Sequence, residues 1–300
     1  MTNAETHSQN MKGIALVLIG ALMLALMDGV MKHLLNQGYT VLQMLAVRGW
    51  FIVPIMAVWS LKMMPAETLK TKRPLAHLIR AAIGFFAPFC FFTALITMPL
   101  ADATVIIFGS TFMMTALSVP LLKEHVGLHR WTAVILGFVG VFIAANPTGN
   151  FFTGGSIFAV LASLSYALIM LMTRWMGKTE NTYAQVFYFN AFAAIVATVL
   201  CAPSFSPITP VDLGWIFLIG ILSVAGHLCL THAFSIAPVG LVAPFEYSIM
   251  IWATLIGFLV WGHIPGSEVI TGAIVIVVSG FYLLQRERAL KALPDSSHQD

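Results

Sequence analysis

Five ionisable residues stand inside long apolar runs of this chain: Asp28, Arg48, His227, His232 and Glu246. A charge within a membrane span is costly, so such residues face a bundle interior or a water-filled path and are the first candidates for holding a charged cargo or a proton. Asp28 and Arg48 each lie about ten residues, or roughly 15 Å of helix, from a turn near residues 36–39, so the two can meet at one depth. His227 stands at about the same depth counted from a turn at Pro238, and Glu246 lies roughly 12 Å in from that turn. All approach the middle third of a bilayer.

Each has a structural as well as a functional reading. Asp28 precedes Lys32 by four residues, the favourable order for an intrahelical pair, and Arg48 can neutralise Asp28 across the hairpin. A structural clip and direct substrate contact therefore both stand open. Lys32 is expected to snorkel outward. Glu246 follows Pro244, whose ring removes a helical hydrogen bond and can bend the helix toward a cavity. With no cationic residue nearby in sequence, this carboxylate is a candidate for a proton or a substrate ammonium, or else a protonated acid bonded to a neighbouring helix. His227 and His232 are about 140° apart around a helix, so at least one is expected only to hydrogen-bond within the bundle.

Tyr166 and Tyr247 bring phenols that want hydrogen-bond partners in an apolar medium. Phe85, Phe86, Phe89, Phe91 and Phe92 around Pro88 offer aromatic surface, most of it expected to face lipid or pack helices. The substrate-binding candidates are thus Asp28, Arg48, Tyr166, His227, Glu246 and Tyr247. No catalytic residue, metal site or cofactor is expected. GxSxG, HExxH and GxxxxGK are absent, and Glu124, His125 and His129, although spaced to hold a metal, read as solvated groups on a basic loop. Cys90, Cys201 and Cys229 read as small buried hydrophobes.

The elements that position these residues follow from composition. Hydrophobic residues make up 59% and charged residues 9% of the chain, and mean hydropathy is +0.91. An all-α integral membrane protein is implied, each span hiding its backbone polar groups in its own helical hydrogen bonds. Apolar runs and Pro/Gly turn signals predict ten helices, near 12–34, 40–61, 75–97, 101–122, 130–146, 155–177, 182–202, 213–235, 240–261 and 267–285. Residues 1–11 and 289–300 read as short polar tails. The first span is too long for a signal peptide and is retained.

Placing the N-terminus inside puts on the cytoplasmic side all but Lys32 and Arg48 of the fifteen basic residues, which predicts cytoplasmic termini. The net charge of +3 then reflects topology, with the lipid bilayer as partner and no nucleic acid.

The sequence also repeats. An offset of 142 pairs Gly13 with Gly155, Lys32 with Arg174 and Gln43 with Gln185, and an offset of 139 pairs Cys90 with Cys229, Pro99 with Pro238 and Gly127 with Gly266. Five spans per repeat is odd, so the halves, residues 1–147 and 148–288, are expected to insert as inverted five-helix repeats, with 289–300 as a cytoplasmic tail. Asn190 occupies the repeat position of Arg48. Close helix contacts are expected at Ala133, Gly137, Gly140, Gly272 and Gly280.

Pro120-Leu121-Leu122-Lys123-Glu124 closing the fourth span, Gly137 and Gly140 in the fifth, Ala237-Pro238-Val239-Gly240 before the ninth and Pro244-Phe245-Glu246-Tyr247 within it resemble the drug/metabolite transporter superfamily with its paired EamA-type repeats. Gly262-His263 departs from the acidic residue that often follows a Gly there. Overall similarity is greatest to bacterial amino-acid exporters, the aromatic branch above all. The resemblance implies a central cavity lined by spans 1, 3, 4, 6, 8 and 9, and alternating access. The expectation is an inner-membrane exporter of small zwitterionic metabolites, amino acids including aromatic ones, with protons as candidate coupling partners. The alternatives are uptake or exchange of another metabolite, such as a vitamin or S-adenosylmethionine, and an intramembrane enzyme, which would need paired carboxylates at one depth.

Overall fold

The structure is a computed structural model and describes residues 3–63, 65, 68–123, 127–145, 154–177 and 179–291. Every regular element among the described residues is helical. Three spans are single helices from the start: α1 (Asn3–Asn36), α2 (Val41–Met63) and α3 (Pro74–Thr97). The fourth is split into α4 (Leu100–Ile107) and α5 (Gly109–Leu122). Then follow α6 (Leu128–Ala145), α7 (Gly155–Met176), α8 (Thr182–Cys201) and α9 (Pro210–Ile236). The ninth span consists of α10 (Val239–Val242), a 3₁₀ segment (Ala243–Tyr247) and α11 (Ser248–Trp261), and α12 (Ser267–Lys291) ends the bundle. Eight of these spans are long and apolar enough to cross a membrane, and Arg130–Ala145 and Ser267–Leu283 supply two shorter apolar helices. The protein is a ten-span, all-α, multi-pass membrane protein.

Residues 3–11, expected as part of a polar tail, continue α1 without a break, and α12 runs on to Lys291. The rest of the expected tails, residues 1–2 and 292–300, lies outside the described residues. The fourth and ninth spans are both interrupted, the fourth only at Phe108, which keeps right-handed helical dihedrals, and at matching places: the 139-residue offset carries the first residue of α5, Gly109, onto the first residue of α11, Ser248. Pro244 explains the second break, because it lacks the N–H that would continue the α-helical ladder. In the first repeat no proline stands there. The turn at Phe108 is accompanied by Ser163 Oγ donating to the Ile107 carbonyl at 3.4 Å.

Packing repeats as well. Spans 1 and 8 pack along their length, as do spans 6 and 3, and spans 2 with 7 and 5 with 10 form the other extended pairs. A Cβ added at Gly13 would meet Ala237, and one added at Gly155 would meet Met98, which is the same pair of repeat positions seen twice. Both α5 and α11 end on left-handed residues, Lys123 at φ 55° and its mate Gly262 at φ 66°. Of the small residues expected between helices, Gly140 and Gly272 meet each other's backbone, whereas Gly137 makes room for Phe112 and Gly280 for Tyr247. Ala133 is fully buried.

Phe108 and Tyr247 are repeat mates, and their rings lie 5.1 Å apart. The interruptions of the fourth and ninth spans therefore lie next to each other in the bundle.

Candidate functional site

The first candidate group forms where α1, α2 and α9 face one another. Asp28 is buried, and the charge that acts on it is Arg48. No contact ion pair closes between them among the described residues. Arg48 Nη2 instead donates to Ser223 Oγ at 2.9 Å. His227 Nδ1 lies 2.7 Å from the Ser223 carbonyl oxygen. A carbonyl only accepts, so Nδ1 carries the proton and Nε2 is left as an acceptor in the neutral ring. Ser223 thereby holds Arg48 and His227 from one residue, and Arg48 is near enough to His227 to act on it electrostatically. Ser223 was not apparent from the sequence, since a serine in an apolar helix carries no signal of its own; only its position one turn before His227 could have raised it.

The second group gathers at the break of the ninth span. Glu246 sits in the 3₁₀ segment and acts electrostatically on both Tyr166 of α7 and Tyr247. No hydrogen bond or ion pair among the described residues satisfies the Glu246 carboxylate or either phenol. Tyr247 is wedged between Phe108 at 5.1 Å and Phe281 at 6.4 Å. Tyr166 is 46% accessible, although Ala162, Ser163 and Ile169 on the same side of α7 are buried. His227 is likewise accessible.

The depth of the two groups can be read along α1. A Cβ at Gly13 would touch Val242, and one at Gly29 would touch Ile256, so span 9 runs beside α1 in the same direction. Glu246 precedes Ile256 by ten residues, which places it about 15 Å along the bundle from Asp28. The two carboxylates are therefore separate stations and do not share one depth. His232, five residues beyond His227, falls on a different side of α9 and is not part of the first group.

Other sequence expectations are corrected. Lys32 does not snorkel outward: its Nζ donates to the Leu95 carbonyl at 2.7 Å and to the Met98 carbonyl, and it stands 5.7 Å from the Trp261 ring centroid. It closes the end of α3, and its acidic neighbour is Asp102, not Asp28. Asn190 turns back on its own helix, donating to the Val186 carbonyl at 2.9 Å. The aromatic surface around Pro88 packs as expected, with Phe85 and Phe92 buried in the main core and Phe189 and Phe192 packed against it. Glu124 and His125, two of the three residues of the loop metal reading, lie outside the described residues, as does the His129 side chain.

A further polar cluster ties the start of α3 to the turn between α7 and α8. His77 Nε2 and Glu180 Oε2 are 3.1 Å apart and both residues are buried. Tyr188 Oη donates to the Leu69 carbonyl at 2.7 Å, and Arg80 donates to the Gln185 carbonyl at 2.9 Å and to Thr173 Oγ1 at 3.0 Å. Burial works to raise the Glu180 carboxyl, but hydrogen bonds from His77, Thr71 and the Lys72 N–H prevail and hold it below the ordinary carboxylate value. At the opposite end of the bundle Tyr39 Oη donates to Asp212 at 2.7 Å, and Gln43 exchanges two hydrogen bonds with the Ser206 backbone. These clusters fasten loops and do not face the central groups. A groove of about 550 Å³ between α11 and α12, lined by Ile251, Leu255, Phe258 and Ile274, opens onto the apolar outer face and touches neither candidate group.

Comparison with known proteins gives this geometry a setting. The profile of the EamA-like transporter family matches residues 11–146 and again 153–285. An S-adenosylmethionine uptake transporter of Rickettsia bellii is 26% identical over 222 residues, 74% of this chain and 76% of its own length. The pseudopaline exporter CntI of Pseudomonas aeruginosa is 29% identical over 206 residues, covering 67% and 72%. A riboflavin transporter of Rhizobium johnstonii is 24% identical over 288 residues, covering 92% and 94%. One solved structure, described simply as the crystal structure of a protein, shares the fold with a TM-score of 0.61 at 16% identity, covering 94% of this chain and 99% of that one.

Proposed function

The chain belongs to the EamA-like transporter family, and from that premise we propose that it carries zwitterionic metabolites of the α-amino-acid type across the bacterial inner membrane, in the direction of export. The proposal includes alternating access between two inverted five-helix repeats, residues 1–147 and 148–288, with both termini and the tail 289–300 in the cytoplasm. Matching breaks in the fourth and ninth spans support the repeat reading, since discontinuous helices near the middle of the bilayer are where such carriers hold cargo.

The observation that carries the substrate class is the Asp28 and Arg48 pair. The two charges act on each other without closing into a contact ion pair, and Ser223 holds the guanidinium. A carboxylate and a guanidinium held apart match the ammonium and carboxylate of an amino acid, which would complete both half-satisfied groups at once. Among the relatives, S-adenosylmethionine is itself an α-amino acid, and its carrier is named for uptake while the pseudopaline carrier is named for export. Direction follows the gradients in a carrier of this kind.

The test is counterflow in liposomes containing purified protein, with labelled methionine, arginine, phenylalanine and S-adenosylmethionine outside and an excess of the unlabelled compound inside. Accumulation of amino-acid compounds is expected, and Asp28→Asn and Arg48→Gln should each abolish it while leaving a monodisperse protein. Riboflavin counterflow without any amino-acid counterflow would overturn the substrate class.

A further inference from the structure

We infer that Glu246, Tyr166 and Tyr247 form a second subsite that takes an organic cation, so that the favoured cargo is an amino acid whose side chain ends in a positive charge. This rests on the reading of Asp28 and Arg48 as the station for the amino-acid head.

The argument begins with unmet demand. Glu246 stands at a helix break, with no lysine, arginine or histidine of the described residues acting on it. Its carboxylate and the two nearby phenols lack hydrogen-bond partners among those residues. A carboxylate kept inside a bundle in that state calls for a positive ligand. The surroundings favour an organic cation over a bare metal ion. Tyr166 presents an accessible ring beside the carboxylate, while Tyr247, its faces taken by Phe108 and Phe281, holds the apolar wall behind it. Aromatic faces beside a carboxylate attract ammonium, guanidinium and sulfonium groups through the ring quadrupole as well as through charge. A metal ion would want several oxygen ligands, and no group of three or more His, Cys, Asp or Glu among the described residues is arranged to hold one.

Length agrees. The two stations lie about 15 Å apart along the bundle by helical rise. An extended arginine or lysine side chain reaches about 7 Å from Cα, and a hydrogen bond of about 3 Å at each end brings the span to about 13 Å. The side chains of Asp28 and Glu246 bridge the remainder. A phenylalanine bound at Asp28 and Arg48 would leave Glu246 as unpaired as before. The asymmetry between repeats points the same way: the mate of Glu246 is Ile107, so the half that lacks the carboxylate has an apolar side chain in its place.

The experiment measures equilibrium binding of labelled arginine, phenylalanine and agmatine to the full-length protein in detergent, for the wild type and for Glu246→Gln, Tyr166→Leu and Arg48→Gln. Agmatine keeps the guanidinium but lacks the α-carboxylate, so it reads the second subsite by itself. Wild type should bind arginine at least ten-fold more tightly than phenylalanine. Glu246→Gln should remove that preference and weaken agmatine at least ten-fold while leaving phenylalanine within two-fold, and Tyr166→Leu should weaken agmatine in the same direction. Equal wild-type affinity for arginine and phenylalanine would overturn the inference. So would an equal loss of all three ligands in Glu246→Gln with unchanged thermal unfolding, which would make Glu246 a general coupling group. If Arg48→Gln leaves arginine binding intact while Glu246→Gln still weakens agmatine, the head-group reading fails and the cation subsite stands.

Discussion

Adding a single methyl at Gly280 should destabilise the protein through one identifiable contact. The new Cβ would fall on Tyr247 Oη, with Tyr247 Cζ at 2.7 Å and Cε2 at 3.2 Å. The ring has little freedom to yield, because Phe108 and Phe281 flank it. Overpacking of this kind costs about 1–3 kcal/mol, and a hard collision with a confined ring belongs at the upper end. Gly to Ala within a helix returns up to about 1 kcal/mol, so Gly280→Ala should lose about 2 kcal/mol net. Tyr247→Phe alone should be near neutral, since the hydroxyl has no partner to lose. In the double variant the collision with oxygen disappears and the tight approach to Cζ remains, so about 1 kcal/mol should be recovered, a favourable coupling of the size seen for contacting residues. The assay is the fraction of monodisperse protein that survives a temperature series in detergent. Wild type and Tyr247→Phe should rank highest, the double variant next and Gly280→Ala lowest. A double variant no better than Gly280→Ala, or Gly280→Ala as stable as wild type, would refute the placement of Tyr247 against α12.

Ser223→Ala removes the acceptor for Arg48, a hydrogen bond to a charged group worth about 1.5–3 kcal/mol, so affinity for amino-acid cargo should fall about 10- to 150-fold; unchanged binding would show that Ser223 does not set the guanidinium. Lys32→Met keeps the buried stem but leaves the Leu95 and Met98 carbonyls without their donor, and should lower stability by about 1–3 kcal/mol. An unaltered unfolding midpoint would count against the α3 closure. The Glu180 carboxyl is held below its ordinary value in the folded protein, so its contribution is full above the unfolded-state value near 4.5 and is lost as pH falls through the lower folded one. Wild type should therefore lose stability on acidification over that window more steeply than Glu180→Gln, and parallel pH profiles would contradict the His77 contact.

The spans were legible because a membrane helix declares itself by an unbroken apolar run, and Pro244 announced the kink beside Glu246. The break at Phe108 was hidden: nothing in Val105-Ile106-Ile107-Phe108 differs from ordinary helical sequence, and only the contacts of Ser163 and Tyr247 reveal it. Asp28 and Arg48 could be placed at one depth by counting residues from their shared turn. Relating Glu246 to that pair required the register of span 9 against α1, which residues remote in sequence determine. Lys32 departs from its expected course for a similar reason. Composition suggests a long cation reaching for water, whereas the last turn of α3 places two carbonyls where that cation ends.

The contact between Phe108 and Tyr247 also bears on how such a chain could arise. A half-length ancestor that paired with a second copy of itself about a two-fold axis would have set this position against its own duplicate, as any isologous interface does. Every substitution there would have counted twice, and a carboxylate one residue away would have appeared on both copies. Joining the halves in one chain removes that restriction. One copy can keep Ile107 and Phe108 while the other acquires Glu246, a phenolic hydroxyl and, in Gly280, the room to hold it. Two matching halves in one chain can thus differ at their contact, and here a carboxylate stands on one side only.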